Sequence, residues 1–334
     1  TTTFWQHICS RICEIEFEEN IPLNRYSANL EKSKKERIYA QTAIVGGDGK
    51  YRQFGIEPNN KDIYGDPIVS PPQNLSLDFS SLQSFSVNYG HAVEVTSGGS
   101  LKVIGNNSDN RISASLPKTE ISQFIEFCVR DSSGRPLTPV SAVCCAYGTV
   151  YLMRKSGGFE NQLVLCDKDI NSGKEVFLDT GNQNPVSLFG GFYHAAAISS
   201  EGEVIFINRD SVKNSPSSRL ASFSLPDGEK ASSVACCSDS VFVLSSSGRV
   251  FSSAIKNGSS ALSFSAVVEL SGQKIVCLSG TNEHCLCVSS EGWVFVRGSN
   301  SEGQLGLCEG IKSISSFTMI SSLFGYKIRA AYAG

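Results

Sequence analysis

Six segments of the chain repeat one pattern: an apolar strand, a glycine turn and a second apolar strand. Aligned on the turn glycine they read HAVEVTSGGSLKVIG (91–105), HAAAISSEGEVIFIN (194–208), SVFVLSSSGRVFSSA (240–254) and HCLCVSSEGWVFVRG (284–298). QTAIVGGDGKYRQFG (41–55) is a fifth copy and TVYLMRKSGGFENQLVL (149–165) a degenerate sixth. The anchoring glycines, Gly49, Gly99, Gly157, Gly202, Gly248 and Gly292, fall 44 to 58 residues apart. A period in this range, carried by strands, predicts an all-β propeller. One hairpin cannot bury its apolar face alone, whereas a ring of them can.

Local chemistry agrees with the period. Val93, Val95, Leu101 and Val103 alternate with other residues, as half-buried strands do. Glycine in the short linkers supplies the positive φ of a tight hairpin turn. Dividing the 334 residues by a repeat of about 48 gives roughly seven blades, with six as the alternative. The repeats occupy residues 38–334, and residues 1–37 form an N-terminal extension. YKIRAAYAG at the C-terminal end matches QKIVCLSG (273–280), the strand that opens an earlier repeat. CEIEFEEN, with Ile15 and Phe17 alternating, is the expected partner that closes the ring by pairing N- and C-terminal strands.

The copy at 274–310 carries an ordered set: Ser279-Gly280, His284, Gly292, Trp293, Gly298, Asn300 and the run Gly303-Gln304-Leu305-Gly306. A second copy keeps Gly90, His91, Gly99, Gly105 and Asn106, and a third keeps Gly190, Gly191, His194 and Gly202. These repeats resemble the regulator of chromosome condensation family of seven-bladed propellers. The resemblance implies a fold. It implies function less strongly, because one fold hosts many roles. The family's founding member is a guanine-nucleotide exchange factor for a Ran-like small GTPase that also engages chromatin.

Charge argues against nucleic acid as a ligand. The formal net charge is −3, and the one basic cluster, residues 31–37, interleaves glutamates with its lysines as a solvated linker does. No apolar run reaches the ~18 residues of a membrane span. The first twenty residues show no basic-then-apolar leader, although a chain that opens on Thr1 has the start of a trimmed one. Twelve cysteines include Cys144-Cys145, Cys236-Cys237 and Cys277 at equivalent repeat positions. They read as reduced packing residues of a cytoplasmic protein. Cys285 and Cys287 share one strand face, and His7, Cys9 and Cys13 lack a fourth ligand, so no metal is expected.

His91, His194 and His284 occupy one repeat position. Ring geometry would spread them apart, so each imidazole is expected to satisfy backbone groups within its own blade. No nucleophile elbow, phosphate-binding loop or zinc-protease motif occurs, and Gly46-Gly47-Asp48-Gly49 reads as a hairpin turn. The chain is therefore read as a non-enzyme without a cofactor.

Long loops on a rigid ring are where binding resides. They fall at residues 56–84, 106–139, 156–175 and 209–230, and within the second of these ISQFIEFCV is apolar enough to be an outer strand. The polar turn Arg130-Asp131-Ser132-Ser133-Gly134-Arg135-Pro136 supplies the candidate partner-binding residues Arg130, Asp131 and Arg135. The expected function is a protein-interaction scaffold. Its partners would be other proteins, such as a cytoskeletal or ciliary assembly, or a small GTPase. Nucleotide exchange on a Ran-like GTPase is the alternative. A glycan- or lipid-head-group-binding propeller ranks third, since Trp5 and Trp293 form no repeated stacking platform.

Overall fold

The computed structural model describes residues 82–333 apart from short segments (89–90, 108, 146–147, 156–157, 168, 171–173, 257–260, 302–303, 308–310 and 325), together with strands between residues 42 and 76. The latter are β1 (Thr42–Val45), β2 (Lys50–Phe54), β3 (Ile56–Lys61), β4 (Pro67–Val69) and β5 (Gln73–Ser76). They make a three-stranded sheet β1-β2-β5 and a pair β3-β4. The predicted first hairpin is thus an antiparallel pair, with Thr42 opposite Phe54. The expected closing strand at Ile15 and Phe17 and the histidine–cysteine group at His7, Cys9 and Cys13 lie outside the described residues.

Five four-stranded antiparallel meanders follow. Sheet I holds β6 (Leu82–Asn88), β7 (His91–Thr96), β8 (Leu101–Asn106) and β9 (Glu120–Phe127). Sheet II holds β10 (Thr138–Cys145), β11 (Gly148–Arg154), β12 (Asn161–Asp167) and β13 (Val176–Leu178). Sheet III holds β14 (Pro185–Gly190), β15 (Ala195–Ser199), β16 (Val204–Ile207) and β17 (Ser222–Phe223). Sheet IV holds β18 (Ala231–Cys236), β19 (Ser240–Ser245), β20 (Val250–Ala254) and β21 (Ser265–Ala266). Sheet V holds β22 (Ile275–Gly280), β23 (His284–Ser289), β24 (Val294–Ser299) and β25 (Ser313–Met319). In each, the repeated hairpin forms the second and third strands. ISQFIEFCV supplies β9, the outer strand of sheet I. A six-residue helix, α1 (Arg209–Asn214), opens the loop between β16 and β17.

By internal contacts the chain divides into two units, one of residues 77–266 and one of residues 1–76 with 267–334. In the first unit the opening strands β6, β10, β14 and β18 lie side by side. Apolar residues from neighbouring sheets interlock between them. Val93, Val95 and Val103 pack with Tyr151, Met153 and Val164. Leu152, Leu163 and Leu165 pack with Ala195, Ile205 and Ile207. Phe206 packs with Val241, Val243 and Phe251. Sheets II and III each contribute to two such cores, the arrangement by which repeats that cannot bury their apolar faces alone are stabilised.

The opening strand of each four-stranded sheet shifts register near its start, at Leu82/Ser84, Pro139/Ser141, Pro185/Ser187, Ala231/Ser233 and Ile275/Cys277. The bulge gives that strand a buried residue at i and i+3, as in Ala231 with Val234 and Ile275 with Leu278. Ile328 and Ala331 repeat the same buried spacing. The turn glycine shows the same equivalence. Gly202, at φ +83°, accepts from Ala231 N at 2.9 Å. Gly292, at φ +88°, accepts from Ile328 N at 3.3 Å. A Cβ at Gly202 would lie 2.7 Å from Lys230 Cβ, and one at Gly292 would lie 2.8 Å from Ile328 N. Residues 326–333 hence take the place of an opening strand beside sheet V, with only Ile328 in a β-bridge among the described residues.

Candidate functional site

His91 is 1% exposed, and its Nε2 lies 2.9 Å from Thr149 Oγ1 of the next sheet. The Thr149 hydroxyl donates to the Arg111 carbonyl at 3.2 Å, so it accepts from His91 Nε2–H. Burial pulls the His91 pKa down to about 3 and keeps the ring neutral. His194 Nδ1 accepts from Arg209 N at 3.4 Å, and His284 Nδ1 lies 3.1 Å from Thr281 Oγ1. Burial lowers both of their pKa values as well. Each of the three imidazoles stands at or beside the start of the second strand of its own sheet, β7, β15 or β23. His194 has the expected backbone partner within its own blade. His91 reaches a hydroxyl on the neighbouring sheet, and His284 meets a side chain three residues away.

A buried asparagine closes the third strand of three sheets, and in sheet I it is not the Asn106 that the sequence predicts. The equivalent of Asn300 is Asn107, not Asn106. Gly105 faces Ile121 across the sheet as Gly298 faces Ile314, and the asparagine stands two residues after each glycine. Asn107 Oδ1 accepts from Ile112 N at 3.0 Å and Ser113 N at 3.2 Å. Its Nδ2 donates to the carbonyls of Ser113 at 2.9 Å and Pro117 at 3.1 Å. Asn300 accepts from Leu305 N at 2.9 Å and donates to Ile311 O at 2.7 Å. Asn208 caps α1, accepting from Asp210 N at 3.0 Å. Each amide folds the loop that follows it.

Sheets II and III meet at an ion pair the sequence did not reveal. Arg209 donates to Asp167 through Nε at 2.6 Å and Nη2 at 3.0 Å, and to Asp169 at 2.6 Å. Beside it a cavity of about 20 Å³, lined by Cys145, Leu165, Asp167, Tyr193 and Arg209, has room for one water. Burial pushes the Cys145 thiol up to about 12 and keeps it protonated. The described cysteines are all free thiols. Among the described residues no three His, Cys, Asp or Glu side chains gather as metal ligands, and no helix is long and apolar enough to cross a membrane.

The predicted site residues Arg130, Asp131 and Arg135 come together in one solvent-facing hairpin between β9 and β10. Arg130 and Pro136 form an antiparallel bridge. Asp131 sits at the centre: Oδ1 accepts from Ser133 N at 2.9 Å, Ser133 Oγ at 2.6 Å and Arg135 N at 2.9 Å, while Oδ2 accepts from Arg135 Nε at 3.1 Å. These bonds, the Ser133 hydroxyl foremost, hold the Asp131 pKa down at about 2. Gly134 at φ +81° closes the turn, and its carbonyl accepts from Arg130 Nη1 at 2.9 Å. Val129 and Leu137 are buried and pin the two ends, while Arg130 and Arg135 are exposed. The turn is a preorganised display of two guanidinium groups around one carboxylate.

No protein-family model matches the chain, and no curated protein matches its sequence. Solved structures do match its fold. Human WBSCR16 is 16% identical with a TM-score of 0.61, over 80% of this chain and 73% of that one. Prp20p from Saccharomyces cerevisiae, whose crystal structure was described with its binding to Gsp1p and histones, is 11% identical with a TM-score of 0.63, over 84% of this chain and 74% of that one. Yeast RCC1 (Prp20) in complex with Kap60 matches at a TM-score of 0.61. In fold, the chain resembles the regulator of chromosome condensation propellers, as its repeated glycines, histidines and hairpins predict.

Proposed function

We propose that the chain is a non-enzymatic protein-interaction scaffold that holds its partners through loops displayed on packed antiparallel sheets. The observation that carries this reading is the 129–137 hairpin. It is rigid through its own hydrogen bonds, pinned at both ends and open to solvent between them. Preordering of this kind lowers the entropy cost of binding. Its two arginines suit an acidic protein surface, with bidentate pairing to carboxylates. The buried histidines, asparagines and thiols are already committed to holding sheets and loops, which leaves the exposed turns as the working surface. The seven-blade count, with six as the alternative, and closure by the terminal strands belong to the same reading. Ile328 and Ala331, in the buried spacing of an opening strand, support them. A cytoplasmic location, in a cytoskeletal or ciliary assembly, completes it.

The second reading, nucleotide exchange on a Ran-like GTPase, draws on the fold likeness to Prp20p, a protein described as binding Gsp1p. Two experiments separate them. Affinity capture from the native cell, comparing wild type with an Arg130→Ala/Arg135→Ala double variant, should lose a defined partner from the variant. An unchanged partner set removes the hairpin from the scaffold reading. Release of labelled guanine nucleotide from a Ran-like GTPase should be unaffected by the purified chain, and strong acceleration would establish exchange instead.

A further inference from the structure

The hairpin that holds the two arginines also holds a serine whose hydroxyl is the keystone of the turn. We propose that Ser133 is a phosphorylation site for a basophilic serine kinase, and that its phosphoryl group dismantles the Asp131-centred turn and reverses the charge of the surface it displays. The proposal rests on the hairpin being the binding surface for its functional consequence, and on the local geometry alone for the modification.

Three observations lead there. Arg130 stands three residues before Ser133, so a guanidinium lies where acidic kinase pockets read charge ahead of the acceptor. Residues 132–136 are exposed, and only Val129 and Leu137 anchor the segment. The turn can therefore open into an extended substrate without disturbing a core. Finally, the Ser133 Oγ proton is committed to Asp131 at 2.6 Å while the same oxygen accepts from Arg135 Nε at 2.9 Å.

In the transfer step Ser133 Oγ attacks the γ-phosphorus of ATP and the bond to the ADP oxygen breaks. ADP leaves, and the hydroxyl proton passes to the kinase's catalytic base. The phosphoserine has no proton to return to Asp131. A group of about −2 charge then stands where the hydroxyl had been 2.6 Å from a carboxylate held ionised by a pKa of about 2. Repulsion ejects the Asp131 side chain. Arg135, already in contact with both oxygens, transfers to the phosphate, and Arg130 is the second guanidinium within the turn. Two arginines against one aspartate make the turn formally +1, and the phosphate takes it to about −1. A surface suited to acidic partners then repels them.

The test uses the purified full chain, ATP and the catalytic subunit of a cAMP-dependent kinase, with site mapping by mass spectrometry. Phosphate is expected on Ser133, abolished by Ser133→Ala and retained in Ser132→Ala. Arg130→Ala should slow the reaction by about tenfold or more, the value of one charge-assisted contact. Hydrogen exchange at the amides of Ser133 and Arg135 should accelerate in the phosphorylated chain. Phosphate on Ser132, incorporation unaffected by Arg130→Ala, or unchanged amide protection would each overturn the proposal. Incorporation and exchange need no partner. Loss of the binding reading would appear instead as partner capture indifferent to Arg130→Ala/Arg135→Ala.

Discussion

Two loops flank β9, and each is folded around one side chain. Residues 107–119 wrap Asn107, and residues 129–137 wrap Asp131. Both side chains gather backbone N–H groups of the loop that follows, Ile112 and Ser113 in one case and Ser133 and Arg135 in the other. The difference is the medium. Asn107 is fully buried and uses an uncharged amide, which donates and accepts at once and satisfies four backbone groups. Asp131 is in contact with water and uses a carboxylate, which only accepts and holds its charge at little cost there. The first loop is part of the core: Tyr151 of sheet II donates to the Ile112 carbonyl at 3.0 Å, and Ser113 Oγ donates to Glu175 at 2.6 Å. The second touches solvent and can be rewritten by a change of charge. One chemical device thus builds structure where it is dry and a switchable surface where it is wet.

Removing the dry organiser should have the largest effect. Asn107→Ala strips partners from the N–H groups of Ile112 and Ser113 and from the carbonyls of Ser113 and Pro117. Each buried polar group left unpaired costs about 1–3 kcal/mol, so the four together should cost on the order of 4 kcal/mol or more. The urea midpoint should fall accordingly, and the melting temperature by ~10 °C. Asp131→Ala, measured alongside, should move neither by a comparable amount. Equal losses from the two variants would erase the distinction between the loops.

A smaller effect should come from His91, which braces the dry loop through Thr149 and the Arg111 carbonyl. Its folded pKa of about 3 lies below the ordinary 6.5. Between those values the unfolded chain binds a proton that the folded chain refuses. Stability from this residue is complete above pH 6.5 and declines as the pH falls toward 3, by at most about 1.4 kcal/mol per pH unit. His91→Gln keeps an N–H for Thr149 and cannot titrate. Urea midpoints at pH 7.5 and 4.5 should separate less for this variant than for wild type. Identical pH dependence would mean that His91 titrates normally inside the fold.

How these features looked in the sequence follows from their range. The hairpins, the turn glycines, the outer strand at ISQFIEFCV and the polar turn at 130–136 depend on neighbours in the chain, and composition and spacing reveal them. Asn107 was within reach: both Gly105 and Gly298 have positive φ, of +109° and +113°, and the organising asparagine stands two residues after each. Matching the first asparagine after the glycine selected Asn106 by one residue. The contacts of His91 with Thr149 and of Arg209 with Asp167 were not legible. Their partners are 58 and 42 residues away, and the pairing depends on how one sheet docks on the next. Nothing local marks Arg209 as a bridge, because any arginine opening a loop has the same appearance.

The smallest expected effect is confined to the wet loop and gives the finest test of the comparison. The Asp131 carboxylate has a folded pKa of about 2 against an ordinary 3.8, the Ser133 hydroxyl being the chief cause. A depressed acid favours the folded turn fully above pH 3.8, and the contribution is lost as the pH falls through 2. Protonation turns one acceptor oxygen into a donor, so the contacts with Ser133 N, Ser133 Oγ and Arg135 N weaken together. Because Val129 and Leu137 keep the ends in place, the turn should loosen while the sheets around it stay intact. Amide exchange at Ser133 and Arg135, corrected for the intrinsic pH dependence, should quicken between pH 4 and pH 2 relative to Ile112 and Ser113. The dry pair has an uncharged organiser and should show no such step of its own. Asp131→Asn should remove the step from the wet pair as well, since its amide does not titrate. If the two pairs of amides responded to acid together, the hairpin would be coupled to the core, and its use as an independent, rewritable surface would fail.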